Sequence, residues 1–269
     1  MLKIVKQNLR GVSETQLITL WARAAETKQE KPIIKDNKAI EIVNKIEYDF
    51  SRFNKDRLTQ VMVAVRTEIL DNATNAFIEK YPDAVIINLG CGLDTRFSRL
   101  DNGKIHWYDL DLPESISVRK QFFEENDKYK MISKSVFDYS WMNEIDRNNK
   151  PVLIILEGLL LYFKEHEVKD LINKLINTFK GSELLSTIVP PFIVKNRTKN
   201  GAFGDMGAEF QWGLKSGREM EKYNNKIKFI EEWNYMDYHT SRWKLFRFLF
   251  LIPGSKNKFG NKIVHLKLN

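Results

Sequence analysis

The stretch AVIINLGCGLDTRFSRLDNGKIHWYDLDLPE, residues 84–114, decides the fold. It opens with a short apolar run from Ala84 to Leu89, which predicts a buried strand because continuous runs of this length are typical of parallel sheets. Gly90 and Gly92 follow at once and predict a tight turn whose backbone can approach a ligand closely. A second short strand is predicted from Lys104 to Tyr108.

Strand and helix signals alternate along the rest of the chain, which predicts an α/β fold. The expected architecture is a doubly wound, Rossmann-like, mostly parallel seven-stranded sheet with helices on both faces. Helices are predicted for Thr59 to Lys80, Pro113 to Phe123 and Glu165 to Phe179. The further strands are predicted at Lys130 to Phe137, Val152 to Leu156, Leu184 to Val189, Ile227 to Trp233 and Ile263 to Leu268.

The length and composition favour a single domain, since 269 residues with 43% hydrophobic content can bury one sizeable core. Residues 1–56 are interpreted as an N-terminal helical cap and residues 57–189 as the ligand-binding core. The long irregular segment 190–225, an insert after strand five, is expected to act as a lid or substrate wall. Residues 226–269 hold the C-terminal strands.

Composition also narrows the partners and the compartment. One cysteine and no signal-peptide pattern fit the cytoplasm, and Glu157 interrupts the longest apolar run, so no membrane partner is expected. The net charge is +8, and after Asp237 seven basic residues follow without an acid. Because the 43 basic and 35 acidic residues are otherwise interleaved, a solvated basic face is favoured over a nucleic-acid surface.

The turn after the first strand suggests the class of ligand. A dinucleotide fingerprint of the GxGxxG type requires glycine at position 95, where this chain has Thr95. The adjacent Asp94 adds negative charge where a pyrophosphate needs neutral N–H groups. A carboxylate here suits a cationic ligand without phosphate, and S-adenosyl-L-methionine is such a ligand. NAD is the alternative on the same turn.

Two acids at the end of the second strand agree with a nucleoside ligand. Asp109 and Asp111 come about 20 residues after the glycines, where a carboxylate can accept hydrogen bonds from both ribose hydroxyls. This pattern still allows NAD, and it also allows a purely structural reading with a tight turn and a helix N-cap. The four histidines are scattered and lack a metal-binding motif, so no metal is expected.

Five segments together resemble the leucine carboxyl methyltransferase family, especially its bacterial branch of polyketide O-methyltransferases. The segments are SETQLITLWARA (13–24), VRTEILD (65–71), NLGCGLDTR (88–96), WYDLDLPE (107–114) and ILEGLLLYF (155–163). The resemblance implies the class I S-adenosyl-L-methionine-dependent fold, with the N-terminal cap and the insert after strand five. It also implies methyl transfer to a carboxylate or hydroxyl of a small-molecule acceptor, with S-adenosyl-L-homocysteine as the product.

The resemblance carries cofactor roles to individual residues. Arg66 matches the arginine that pairs with the methionine carboxylate, a group that suits a bidentate guanidinium. The two glycines match the turn against the methionyl group, and Asp111, with Asp109 beside it, matches the ribose-binding acid. Glu157 matches a glutamate near the amino group and the sulfonium.

Two residues compete for the adenine in this assignment. Asp138 is assigned to the adenine amine, and Phe137 is the alternative, packing on the ring.

Acceptor-side residues are assigned on the same basis. Tyr162 is expected to face the reacting end and to orient the acceptor. Trp21 and Arg23 in the cap, with Phe210 and Trp212 in the insert, are candidates for the acceptor pocket. A carboxylate acceptor would need no base, whereas a phenol or alcohol would need one. An NAD-linked dehydrogenase, a cofactor-binding sensor or scaffold, and a methyltransferase acting on a protein C-terminus or RNA remain as alternatives.

Overall fold

A computed structural model describes residues 4–196, 206–243, 248 and 251–269. Its centre is one seven-stranded sheet in the order β3-β2-β1-β4-β5-β7-β6. Strands β1 to β5 are parallel, and β7 runs antiparallel to both β5 and β6, so the predicted doubly wound, mostly parallel sheet is confirmed. The strands are β1 Val85–Leu89, β2 His106–Asp111, β3 Tyr129–Ser133, β4 Val152–Leu156, β5 Ser182–Ile188, β6 Ile227–Asn234 and β7 Lys262–Leu268.

Helices cover both faces of this sheet. In chain order they are α1 Thr15–Thr27, α2 Asn37–Lys45, α3 Arg57–Lys80, α4 Arg96–Leu100, α5 Pro113–Arg119, α6 Glu165–Thr178, α7 Pro191–Asn196 and α8 Ser255–Phe259. Short 3₁₀ turns join several of them, including Gly11–Glu14 before α1 and Leu160–Tyr162 after β4. Pro113 at the first turn of α5 fits the rule that proline is tolerated where the N–H has no helical partner.

Successive strand residues point to opposite faces, so the sheet feeds two separate cores. Ile86 packs with Leu70 of α3 on one face, whereas its neighbour Ile87 packs with Leu171 of α6 on the other. Because β1 and β4 are fully buried on both faces, their sequences are continuous apolar runs. The sheet is therefore rigid where its carboxyl ends form the site.

Three boundaries differ by three or more residues from the sequence-based prediction. Strand β2 continues to Asp111, three residues beyond Tyr108, because the carboxylate of Asp109 is fully paired inside the protein and does not end the strand. Strand β3 ends at Ser133, and the following residues turn toward the cavity described below. Helix α5 ends at Arg119, whose side chain is drawn inward by the same carboxylate.

The cap and the insert lie at the carboxyl end of the sheet. Helix α1 packs on α2 and α3. The insert is tied to the segment after β4, because the backbone N–H of Gln211 donates to the carbonyl of Leu161 at 2.7 Å. It is tied to β5 as well, since Leu214 N donates to Val189 O at 2.9 Å. Residues 197–205 of the insert lie outside the described part of the chain.

Candidate functional site

A cavity of about 430 Å³ opens at the carboxyl ends of β1 to β5. This volume falls within the range of roughly 300–1,000 Å³ typical of small-ligand pockets. Each parallel strand contributes the residues that follow it, and the start of α1 closes the cavity from the cap side. The site therefore lies where ligands bind in open α/β sheets, as the sequence predicted.

The glycine turn after β1 forms a cradle that larger residues would fill. Gly90 has φ +68° and Gly92 has φ +48°, in the left-handed region that favours glycine. A Cβ added at Gly90 would lie 2.8 Å from Leu159 Cδ1, and one at Gly92 would lie 3.0 Å from Gln16 Cβ. Both positions thus favour glycine for the backbone path, and an added Cβ would also have to displace a neighbouring side chain.

Asp111 supplies a carboxylate directly beside this turn. Its Oδ2 accepts a hydrogen bond from the N–H of Gly92 at 2.7 Å, and its Oδ1 accepts one from Leu112 N at 2.7 Å. Burial raises the pKa of this carboxyl group, and the backbone donors offset that effect only in part. Asp111 lines the cavity without an ion-pair partner in the described residues, so it is available to a ligand donor.

Glu157 follows β4 and pairs with two arginines. Its Oε1 lies 2.7 Å from Arg66 Nε, and its Oε2 lies 2.6 Å from a terminal nitrogen of Arg96. Burial alone would raise the pKa of Glu157, but the two guanidinium groups outweigh burial and hold the pKa below its ordinary value. Glu157 therefore stays ionised, with both oxygens engaged.

This pair belongs to a larger group of buried ions, which we call the charge network. Arg96 also contacts Asp94 at 2.6 Å and Asp71 at 2.8 Å. The four positive and four negative formal charges of the charge network cancel, which lowers the cost of burying them. The members are Arg23, Arg66, Arg96, Arg99, Asp36, Asp71, Asp94 and Glu157.

Two acids assigned to the cofactor lie outside the cavity, which corrects those assignments. Asp109 is completely buried beneath the turn, where it pairs with Arg119 and accepts hydrogen bonds from Tyr129 at 2.7 Å and Trp107 at 2.9 Å. Its oxygens have no capacity left for a ribose. Asp138 caps an exposed 3₁₀ turn and accepts a hydrogen bond from the Ser140 hydroxyl at 2.6 Å. Asp138 is not among the residues that line the cavity.

Two pairs of aromatic side chains line the cavity. Phe137, after β3, meets Phe163 with ring centroids 4.7 Å apart, and both contribute to the wall. Tyr162, which precedes Phe163 in the chain, packs edge-on against Phe210 of the insert, with centroids 5.6 Å apart. The structure thus brings Phe137, Tyr162 and Phe210 into the predicted site.

Two of the remaining acceptor candidates do not reach the cavity. Trp21 packs against Phe53 inside the cap, with ring centroids 5.6 Å apart, because its face of α1 turns toward α3. Trp212 is buried under the insert, where its indole N–H donates to Tyr223 at 3.0 Å. These two predictions are corrected: both tryptophans are core residues and not acceptor contacts.

Arg23 reaches the cavity wall, but its guanidinium is already engaged. It donates to Asp36 at 2.9 Å and to the carbonyl of Leu93 at 2.7 Å. Because both contacts are buried, Arg23 fixes the cap to the glycine turn and is not free to steer an acidic acceptor. The sequence thus placed Arg23 correctly at the cavity, but the predicted contact with the acceptor does not fit these hydrogen bonds.

Sequence reasoning missed Gln16 and Tyr235, which line the cavity, and Arg96, which lies behind it in the charge network. Gln16 of α1 places a buried Oε1 without a hydrogen-bond partner beside Gly92. Arg96 ends the segment NLGCGLDTR, two residues after Asp94. A basic residue so close to an acid could have indicated a buried ion pair. Tyr235, directly after β6, could not be predicted as a cavity residue, because it is far in sequence from the other residues that line the cavity.

The basic residues near the C-terminus are largely neutralised. Arg242 lies 2.8 Å from Glu26, Lys262 lies 2.6 Å from Glu232, and Lys256 pairs with Asp237. Lys244 and Arg247 lie outside the described residues. Among the described residues, no helix is long and apolar enough to cross a membrane. The same residues contain no cluster of potential ligands that could hold a metal ion.

The solved structures that resemble this one establish the class of the fold. A DUF574 family protein from Streptomyces avermitilis superposes with a TM-score of 0.62 at 8% identity, covering 95% of this chain and 97% of that one. Magnesium protoporphyrin IX methyltransferase from Synechocystis, solved with bound S-adenosyl-L-homocysteine, gives 0.51 at 10% identity, covering 87% and 94%. At these identities the likeness shows the fold alone, which is that of class I methyltransferases.

Sequence comparison identifies the family. The leucine carboxyl methyltransferase family profile matches residues 16–176. The tetracenomycin polyketide synthesis O-methyltransferase TcmP of Streptomyces glaucescens is 33% identical over 230 residues, covering 85% of each chain. The S-adenosyl-L-methionine-dependent methyltransferase dpfgK of Gibberella zeae is 31% identical over 249 residues, covering 84% of this chain and 83% of its own. The chain belongs to the leucine carboxyl methyltransferase family. The predicted family, fold and cofactor, S-adenosyl-L-methionine, are confirmed.

Proposed function

We propose that this protein is an O-methyltransferase that methylates a carboxylate of a small, polyketide-like molecule. The observation that carries the proposal is the state of Glu157, whose two oxygens are engaged by Arg66 and Arg96 in a cavity without a histidine among its described lining residues. Asp111, the lining acid without an ion-pair partner in the described residues, is assigned to the ribose, so no described carboxylate or imidazole is left as a base for the acceptor. This favours an acceptor oxygen that is already ionised at neutral pH. A carboxylate meets that condition, whereas an alcohol does not.

The described residues fit the cofactor. When bound, S-adenosyl-L-methionine supplies an electrophilic methyl group on a positively charged sulfur. Asp111 would accept hydrogen bonds from ribose hydroxyls, and Phe137 would pack on the adenine at the end of β3. The left-handed glycine turn leaves room for the methionyl part, and the unpartnered Gln16 Oε1 adds an acceptor beside it.

Arg66 and Glu157 are proposed to hold the amino-acid end of the cofactor together. The guanidinium group of Arg66 suits a carboxylate, while the ionised Glu157 suits an ammonium group. Arg96 pairs with Glu157 and is itself paired with Asp94. These contacts hold Glu157 in place without the ligand. The chain then needs mainly to align the acceptor oxygen with the methyl group and to exclude water.

The insert and the segment after β4 are proposed to form the acceptor end. Tyr162 and Phe210 face each other there, and the Tyr162 hydroxyl lies 3.4 Å from the Thr15 hydroxyl. These groups could orient an acceptor without removing a proton. The homologue's role in tetracenomycin polyketide synthesis supports a polyketide-like acceptor for this chain.

The experiment is methyl transfer from labelled S-adenosyl-L-methionine to matched acceptors. Benzoate, phenol and benzyl alcohol present a carboxylate, a phenol and an alcohol on one ring. We expect label in methyl benzoate and none in the two ethers. Transfer to benzyl alcohol at a rate equal to that of benzoate would refute the carboxylate proposal. Glu157→Gln should weaken cofactor binding without creating a new pH optimum.

A further inference from the structure

A second cavity of about 270 Å³ adjoins the main one. It lies between α3, α7 and the ends of β6 and β7. Met62, Tyr235 and Asn261 line both cavities, so the two meet at these side chains. We call this second cavity the side chamber. Its volume is close to the lower end of the range for small-ligand pockets, roughly 300 Å³.

The walls of the side chamber are mainly apolar and aromatic, with Asn196 and Asn261 as the polar members among the described residues. Phe192 of α7 meets Phe259 of α8 with ring centroids 5.0 Å apart and planes nearly perpendicular. Trp243, which is 3% exposed, and Met236 complete much of the lining. No described lining residue has a charged side chain. The chamber therefore suits a neutral, flat, apolar body, for which aromatic and thioether side chains are good contacts.

Tyr235 marks the junction of the two cavities with a buried hydroxyl. The residue is 3% exposed, and its hydroxyl lies beside that of Thr187 without hydrogen-bond geometry. Burial raises the pKa of Tyr235, so the group keeps its proton and is a hydrogen-bond donor. A buried donor without an acceptor is costly, which indicates that a bound group supplies the acceptor.

We infer that the acceptor is an aryl carboxylic acid of at least two fused rings, with its ring system in the side chamber and one carboxylate oxygen held by the Tyr235 hydroxyl. This inference rests on the proposed function and specifies its substrate class. The second carboxylate oxygen then faces the main cavity. As it attacks, the new C–O bond forms while the C–S bond breaks, and no proton has to move, because a carboxylate and a sulfonium become a neutral ester and a neutral sulfide.

Ring size tests the chamber through binding. Protein saturated with S-adenosyl-L-homocysteine is titrated calorimetrically with benzoate, 2-naphthoate and anthracene-2-carboxylate. We expect 2-naphthoate to bind about tenfold tighter than benzoate or better, since the second ring is buried. Met236→Trp should fill the chamber and abolish this advantage while benzoate still binds. Ile230→Trp, at an exposed position of β6 shortly before Met236, is the matched control and should keep it.

The hydroxyl is tested separately. Tyr235→Phe should weaken binding of 2-naphthoate by about 10- to 100-fold, the usual effect of losing a hydrogen bond to a charged group, with cofactor affinity unchanged. Tyr238→Phe removes a hydroxyl from the same segment outside both cavities and should have no such effect. Equal affinities for all three acids, no binding of any of them, or a size preference that survives Met236→Trp would each overturn the inference.

The same titrations separate this inference from the proposed function. Size-selective binding that responds to Met236→Trp, without formation of any methyl ester, would support the chamber and refute the carboxylate methyltransferase proposal. Ester formation from all three acids at equal efficiency, with equal affinities, would support the proposed function and refute the chamber.

Discussion

Replacing Arg96 by methionine removes the guanidinium that contacts three carboxylates and keeps an unbranched side chain of similar length. The Arg96 side chain is fully buried and lies within 2.8 Å of Asp71, Asp94 and Glu157. Removing one partner of a buried ion pair costs about 3–5 kcal/mol. The loss should not triple, because Glu157 keeps Arg66 at 2.7 Å and Asp71 keeps Arg99 at 2.7 Å. We therefore expect Arg96→Met to lower the free energy of unfolding at pH 7 by about 3–5 kcal/mol.

The assay is urea unfolding at pH 7 and pH 5, with Arg218→Met as the control. Arg218 is 65% exposed and forms a surface pair 3.8 Å from Glu221, for which about 0–1 kcal/mol is expected. In the wild-type protein the pKa values of Asp94 and Glu157 are lowered, so their stabilisation persists as the pH falls to 5.

In Arg96→Met burial is less well offset, so the pKa values of these carboxyls rise. Proton uptake then stabilises the folded variant, and its deficit should shrink at pH 5. A deficit at pH 7 no larger than that of Arg218→Met, or one that grows on acidification, would refute this reasoning.

Three further predictions concern the cavity. Asp111→Asn should weaken S-adenosyl-L-methionine binding by about 10- to 100-fold in calorimetry, because a charged acceptor is lost, whereas Asp138→Asn should leave it unchanged; equal losses would contradict the assignment. Gly90→Ala should lower the free energy of unfolding by about 1–2 kcal/mol because of the left-handed φ, and it should also impair cofactor binding. Gly103→Ala, where φ is +73° and no atom lies near the added Cβ, should show only the loss of stability. For benzoate, kcat/KM should be flat between about pH 6 and pH 9; a transition near pH 7 would indicate a general base, which a carboxylate acceptor does not need.

The sequence predicted the fold well wherever local pattern determines structure. Val152–Leu156 has the predicted bounds because all five residues are apolar and buried, which gives a strand pattern without ambiguity. The glycine turn was predicted for a similar reason, since its left-handed backbone strongly favours glycine. Both features are properties of a few consecutive residues.

The sequence predicted the site less well wherever remote residues decide which way a side chain points. Asp109 and Asp111 look equivalent in WYDLDLPE, but alternate strand positions face opposite ways, and only Asp111 reaches the cavity. Asp109 is engaged by Arg119 and Tyr129, from two later elements. Trp21 was misassigned because an aromatic residue on α1 could equally face the cavity or α3, and only packing against Phe53 decides between them.

The charge network explains why the cap and the cofactor end of the cavity form one unit. Asp36, at the start of α2, accepts a hydrogen bond from Ala39 N at 2.9 Å and also pairs with Arg23 of α1 and Arg99 of α4. The seating of the cap is thus linked through shared carboxylates to the group that holds Glu157.

An unpaired buried charge is costly. A substitution in the cap that removes one of these charges should therefore destabilise the arrangement around Glu157, and the reverse should also hold. The side chamber has no charged lining among its described residues and lies outside this network. We therefore expect substitutions of Met236 or Phe192 to change acceptor preference while cofactor affinity stays the same.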